Sequence, residues 1–158
     1  MRINIGGVLT KRAAMTPDRE GLICEGVRRT YKQLNDRANR LANTMKALGV
    51  NHGDRVGILA LNEPEYFDMY FGLGKIGAIL VPINHRLAGP DIEYILSDCE
   101  AKVLVYGKEF AEVVDSIRND IPAKDLIAIF DDSPEWAESY ESVIGEASDE
   151  EPEEEGGD

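Results

Sequence analysis

From residue 55 onward, short apolar runs alternate with segments of helical period, and that alternation restricts the fold more than any other feature of these 158 residues. The runs 55–60, 78–83, 102–106 and 126–130 are rich in Val, Ile, Leu and Ala and end at turn residues, as strands inside a sheet do. Between them, 63–75, 89–99 and 108–120 read as helices. Strand, helix and strand at this spacing imply βαβ units with right-handed crossovers. The expectation is an α/β fold: layered, with a mostly parallel sheet and helices on both faces.

The first fifty residues are organised differently. Residues 5–15 read as a helix with apolar Val8, Leu9 and Ala13, closed by Thr16-Pro17. Two short strands, 21–25 and 27–30, are joined at Gly26. Thr30 and Gln33 then form a capping box that satisfies two orphan backbone donors of the next helix. On that helix Tyr31, Leu34, Ala38, Leu41, Met45 and Leu48 make one apolar stripe, and Gly49 stands where a left-handed residue is wanted. Asn62 and Glu65 suggest a second capping box. The helix after it, with Tyr66, Phe67, Met69, Tyr70, Phe71 and Leu73, is apolar on most sides and is expected to be buried. A last helix is expected from about Ser133-Pro134-Glu135, carrying Trp136, Tyr140, Val143 and Ile144.

Charge separates the end of the chain from its body. Residues 1–124 carry 17 basic and 16 acidic side chains, whereas residues 125–158 carry 14 acidic and none basic. Residues 145–158 have eight acids and no large apolar side chain, too little to offset an ordering entropy of about 1–2 kcal/mol per residue. We therefore expect one α/β subdomain over 1–144 and an acidic disordered tail or linker over 145–158. Nucleic-acid binding is disfavoured, because no basic stripe is dense enough to meet a phosphate backbone. Cys24 and Cys99 make neither a metal spacing nor a disulfide framework and suit a reducing cytosol. No apolar window approaches the ~18 residues of a membrane span. The expected location is cytoplasmic, or peripheral to a membrane through features outside these residues.

Candidate chemistry is sparse. Gly72-Leu73-Gly74-Lys75-Ile76-Gly77 matches the spacing of a dinucleotide loop, but that loop must follow a strand and open a helix. Here the glycines close a helix, which assigns them to close packing and chain reversal. A Rossmann-type nucleotide-binding domain is the alternative they leave open. Neither Gly74-Lys75 nor Gly107-Lys108 completes a Walker loop, His52 and His85 lack partners at metal-ligand spacing, and no serine has the context of a nucleophile elbow. No catalytic and no metal-binding residue is expected in this chain. Arg86 stands out as the one candidate: it lies just past the carboxyl end of an expected strand, where open α/β sheets bind ligands. A surface arginine paired with Asp91 or Glu93 is the competing reading.

Several runs, in order, resemble the N-terminal part of the large domain of AMP-forming acyl-CoA synthetases, the adenylate-forming ligases. They are Thr30-Tyr31-Lys32-Gln33-Leu34 with Asn39-Arg40-Leu41-Ala42, Leu48-Gly49-Val50 with Gly53-Asp54-Arg55-Val56, and Glu65-Tyr66 with Tyr70-Phe71-Gly72. Lys75-Ile76-Gly77-Ala78, Val81-Pro82-Ile83-Asn84 with Arg86-Leu87, and Ala101-Lys102-Val103-Leu104-Val105 follow. The resemblance implies a parent enzyme that activates a carboxylic acid, such as a fatty acid, with ATP and Mg2+ to acyl-AMP and transfers it to CoA. It also implies a phosphate loop, later ribose and Mg2+ motifs and a C-terminal domain that do not match here. The chain then reads as a scaffold fragment, inactive alone and binding none of these ligands, with the rest of the polypeptide as its partner. By resemblance Arg86 would lie on the CoA phosphate side. A homodimer through an uncovered apolar face is a further expectation of this reading, and a non-catalytic interaction module of the same fold is the alternative to it.

Overall fold

The computed structural model describes residues 4–153. They fall into two compact units: residues 4–52, 63–78 and 144–153 form the first, and residues 53–62 and 79–143 the second.

The first unit is helical. Helix α1 (Ile5–Met15) is capped by the Asn4 side chain, which accepts from Gly7 N–H at 2.7 Å. Strands β1 (Glu20–Cys24) and β2 (Val27–Thr30) form an antiparallel hairpin whose turn residues Glu25 and Gly26 both have positive φ, 46° and 84°. Helix α2 (Tyr31–Ala47) begins at the expected capping box, in which Thr30 and Gln33 exchange both bonds, and Gly49 is left-handed at φ 87°. Helix α3 (Glu65–Ile76) starts behind Pro64, which offers no side-chain cap, and ends at left-handed Gly77. It is not apolar-buried on most sides as expected, since Tyr70 is 48% exposed. Leu9, Leu34 and Ala38 form a small core with Leu22, Tyr31, Phe67 and Phe71 against it.

Residues 145–153, expected as part of an acidic disordered tail or linker over 145–158, lie along α2. Their backbone carbonyls accept hydrogen bonds from a row of side chains on α2. Arg40 donates to Gly145 and Ala147, Asn39 to Asp149, Asn43 to Ser148 and Glu150, and Lys46 to Glu153. Each such bond contributes about 1 kcal/mol net, against about 1–2 kcal/mol to order each residue, so main-chain bonds by themselves do not hold the segment. The added anchor is Glu151, ion-paired with Lys75 at 2.7 Å. Residues 154–158 lie outside the described residues.

The second unit is built on a parallel sheet of β3 (Arg55–Leu59), β4 (Ile79–Pro82), β5 (Val103–Tyr106), β6 (Asp125–Ala128) and β7 (Glu138–Ser139), in the order β4-β3-β5-β6-β7. Every neighbouring pair is parallel. Strand β5 is buried along its whole length, which means it is covered on both faces. Helices α4 (Gly89–Asp98) and α5 (Ala111–Ile117), the latter entered through a 3-10 turn at Lys108–Phe110, supply Ile92, Leu96, Val114 and Ile117 to a core with Leu104, Tyr106, Leu126 and Ala128.

Two expectations fail here. Strand β4 was expected to be buried, yet it is a sheet edge, with Ile79 49% exposed. The final helix does not begin at 133–135. Instead Ala137 N–H closes a turn on Pro134 O at 3.0 Å, β7 follows, and α6 spans Tyr140–Glu146. Trp136 and Tyr140 have helical spacing, but Trp136 is used outside the helix, stacked on Tyr106 at 5.9 Å. Among the described residues no helix is long and apolar enough to cross a membrane.

Candidate functional site

Strand order decides where a ligand fits. From β3 the chain goes to one side of the sheet to make β4, and from β5 it goes to the other side to make β6. The connections diverge between β3 and β5, and such switch points open a crevice at the carboxyl ends of the strands. Its floor is made of small residues. Gly107 N–H donates to Leu59 O at 2.9 Å, and a Cβ at Gly107 would meet Ala60 Cβ at 3.6 Å and Glu109 Oε2 at 3.1 Å.

Arg86 stands at this edge. After β4, Ile83 N–H still donates to Ile58 O at 2.9 Å, and then the chain turns. Asn84 organises that turn: its Oδ1 accepts from Arg86 N–H at 3.0 Å and its carbonyl accepts from Leu87 N–H at 3.2 Å. The turn holds His85 and Arg86 outward, both exposed, with the His85 ring 6.3 Å from Phe110. No ion pair joins Arg86 to Asp91 or Glu93 among the described residues, so the competing surface-pair reading is not what the structure adopts. Lys108, which the sequence offered only as the lysine of an incomplete Walker loop, is exposed at the end of β5 and adds a second positive charge to the same edge of the sheet. Such an edge can attract an anion. It presents no base aligned with a nucleophile, and among the described residues no three His, Cys, Asp or Glu side chains converge to hold a metal ion.

The glycine run lies in the first unit and serves packing. A Cβ at Gly72 would meet Ala38 O at 2.8 Å, one at Gly74 would overlap the Ile5 side chain, and one at Gly77, φ 69°, would overlap the His52 ring. A dinucleotide loop needs glycines between a strand and a helix start, so the Rossmann alternative loses its only motif.

What the sequence concealed is two buried charges in this helical unit, Asp68 and Lys75, each paired with a more exposed partner. Asp68 on α3 has no exposed surface, and its Oδ2 accepts from Arg37 Nε on α2 at 3.0 Å and lies 2.9 Å from Nη2. Lys75 is 3% exposed in its side chain and donates to Thr10 Oγ1 at 2.6 Å, Asn35 Oδ1 at 2.8 Å and Glu151 Oε2 at 2.7 Å. Burial lowers the Lys75 pKa despite Glu151. Burial works to raise that of Glu151, but the hydrogen bonds from Lys75 and Asn35, the Lys75 charge and Thr10 outweigh it and hold the carboxyl below its usual range. The first pair joins α2 to α3 and the second joins α3 to the segment that follows α6, which makes both structural.

Comparison with known proteins places this architecture. Residues 9–157 match the family described as AMP-binding enzyme. The long-chain-fatty-acid–CoA ligase FadD13 of Mycobacterium tuberculosis (strain ATCC 25618 / H37Rv) is 44% identical over 117 residues, covering 73% of this chain and 23% of that protein. A feruloyl-CoA synthase of Amycolatopsis sp is 37% identical over 143 residues, covering 88% of this chain and 29% of that one. Among solved structures, the anthranilate CoA ligase AuaEII in complex with anthranoyl-AMP superposes with a TM-score of 0.90 at 32% identity, over 94% of this chain and 29% of that chain. The chain thus spans about a quarter of the length of the curated relatives it matches. With its parallel sheet, its order of elements and this match over nearly its whole length, the chain belongs to the AMP-binding enzyme family and corresponds to the N-terminal region of its acyl-CoA synthetase members.

Proposed function

We propose that this chain is the N-terminal scaffold of an AMP-forming ligase that converts a carboxylic acid, a fatty acid in our reading, to acyl-AMP with ATP and then to acyl-CoA. The observation that supports it most is the 44% identity to a long-chain-fatty-acid–CoA ligase across most of the chain. In the overall reaction the carboxylate oxygen attacks the α-phosphorus and pyrophosphate leaves; the CoA thiol sulfur then attacks the acyl carbonyl and AMP leaves. The residues described here do not fit ATP or Mg2+: no acidic cluster converges, and the glycine run closes a helix. We assign both ligands, and the chemical steps, to other parts of the polypeptide, and expect this chain alone to be inactive. Cys24 and Cys99 form no disulfide, which favours a reducing compartment such as the cytoplasm.

Arg86 does fit an anion, and we assign it to the phosphate side of CoA. In the polypeptide encoded by the complete reading frame, Arg86→Ala is expected to raise KM for CoA about tenfold, as for one charge-assisted hydrogen bond, with kcat for adenylation unchanged. An unchanged KM removes Arg86 from the site. The wider reading is tested by acid-dependent ATP–pyrophosphate exchange. The complete polypeptide should exchange with fatty acids more readily than with aromatic acids, and the present chain should not exchange. Exchange by this chain alone overturns the scaffold assignment; preference for an aromatic acid overturns the substrate.

A further inference from the structure

The polar row on α2 does more than tidy a loose segment. We propose that this row, together with Lys75, is a docking groove for an extended acidic peptide, that residues 145–153 of the same chain are its occupant, and that Glu151 is the one side chain the groove selects.

The groove reads two things. Asn39, Asn43 and Lys46 repeat along one line of α2, and with Arg40 they donate to main-chain carbonyls from Gly145 to Glu153. Carbonyls carry no sequence information, so this row accepts any extended chain. Side-chain reading is concentrated at Glu151. Its Oε2 meets Lys75 Nζ at 2.7 Å and Thr10 Oγ1 at 3.3 Å, and its Oε1 accepts from Asn35 Nδ2 at 3.0 Å. Thr10 is on α1, Asn35 on α2 and Lys75 on α3, so both carboxylate oxygens are gripped by three helices at once. The other acids of the segment are not held this way: Glu151 is itself half exposed, but among the described residues the carboxylates of Glu146, Glu150 and Glu153 take part in no hydrogen bond or ion pair, and Asp149 approaches Arg40 only to 3.7 Å.

Charge explains why an acid is required. Lys75 has 3% of its side chain exposed, and Glu151 is the carboxylate within ion-pair distance of it among the described residues. If the segment lifts, a buried ammonium loses its counter-ion, which is far costlier than losing a surface pair. The site is also shaped for that lysine: a Cβ at Gly6 would overlap Lys75 Cγ and approach its backbone nitrogen to 2.7 Å. Beyond Glu151, Lys46 Nζ holds Glu153 O at 3.1 Å, beside the end of α2.

The test is backbone 15N relaxation on the intact chain and three variants. In the wild type, Ser148 to Glu151 should show order parameters near the rigid value of about 0.85 found in α2. Glu151→Gln, which keeps the volume and removes the charge, should lower them below about 0.6 while α2 stays rigid. Lys75→Met should do the same without leaving a charge buried, and serves if the glutamine variant fails to fold. Glu150→Gln should behave as wild type. A mobile segment in the wild type, a segment that stays ordered in folded Lys75→Met, or equal release by Glu150→Gln would each overturn the proposal.

Discussion

At the scale of the residue, three side chains carry most of what is unusual. Asp68 is fully buried against a partly buried Arg37, and removing the arginine's charge or the aspartate's from such a pair leaves its partner uncompensated, at a cost of about 3–5 kcal/mol for a fully buried pair. Asp68→Asn should therefore lower stability in urea denaturation by about 3 kcal/mol, while the double variant Arg37→Met, Asp68→Leu should lose less than either single change. Additive losses would contradict this. Tyr106 presents the opposite case. Its hydroxyl is buried with no hydrogen-bond partner among the described residues, between Trp136 and Phe130. Burial, with the Asp115 charge adding to it, pushes its pKa up to about 12. The folded value exceeds the ordinary 10.0, so the folded chain holds this proton more tightly, and stability is lost as pH rises from about 10 through about 12. Tyr106→Phe should be at least as stable as wild type at neutral pH and should unfold less readily on alkaline titration followed by circular dichroism. Neither feature shows in the sequence: an aspartate in an aromatic helix and a tyrosine ending a Val-rich strand look like ordinary surface and core.

At the scale of the element, glycine placement decides how α1 meets α3. Gly6 and Gly7 are adjacent on α1 and equally poor helix formers, yet only Gly6 faces the neighbouring backbone. A Cβ at Gly6 would lie 2.7 Å from Lys75 N, whereas at Gly7 it would meet only Asn4 Oδ1 at 3.5 Å. Gly6→Ala should destabilise by about 1–3 kcal/mol through overpacking, and Gly7→Ala should stabilise by up to about 1 kcal/mol. Thermal melts of the two variants should move in opposite directions; shifts of the same sign would mean the interface relaxes. Elements specified by local chemistry were readable in advance. The α1 boundaries, the Thr30–Gln33 capping box and the left-handed Gly49 all depend on a few adjacent residues. The end of the chain was not, because Trp136 is taken by Tyr106 from another strand, and periodicity counts spacing without knowing which surface claims each residue. The three asparagines at 35, 39 and 43 were the available signal for the docked segment: a residue poor inside helices, recurring every fourth position, has something to bind.

At the scale of the whole molecule, several large apolar side chains remain in water. Val8 is 55% exposed, Met15 65%, Ile23 61% and Tyr94 70%. Val8 and Met15 share one stripe of α1 with Ile5, 40% exposed. We expect the isolated chain to self-associate through that stripe, with a sedimentation coefficient that rises with concentration and returns toward the monomer value in Val8→Ser, Met15→Ser. A concentration-independent monomer would refute this. The candidate anion edge was only partly readable. Arg86 follows a strand that its apolar run announces, and the Asn84 turn that presents it is local, but only strand order brings the end of β5, with Lys108, to the same edge of the sheet.

Local pattern was enough for the parallel α/β class, the helix caps, the packing role of the glycine run and the kinship with acyl-CoA synthetases, because each is written in residues close together or in the order of motifs. The edge position of β4, the Arg37–Asp68 pair and the seating of Glu151 on Lys75 were settled only in three dimensions. They join residues between 31 and 76 positions apart, and whether a charge is buried or a strand has a neighbour depends on what the rest of the chain brings beside it.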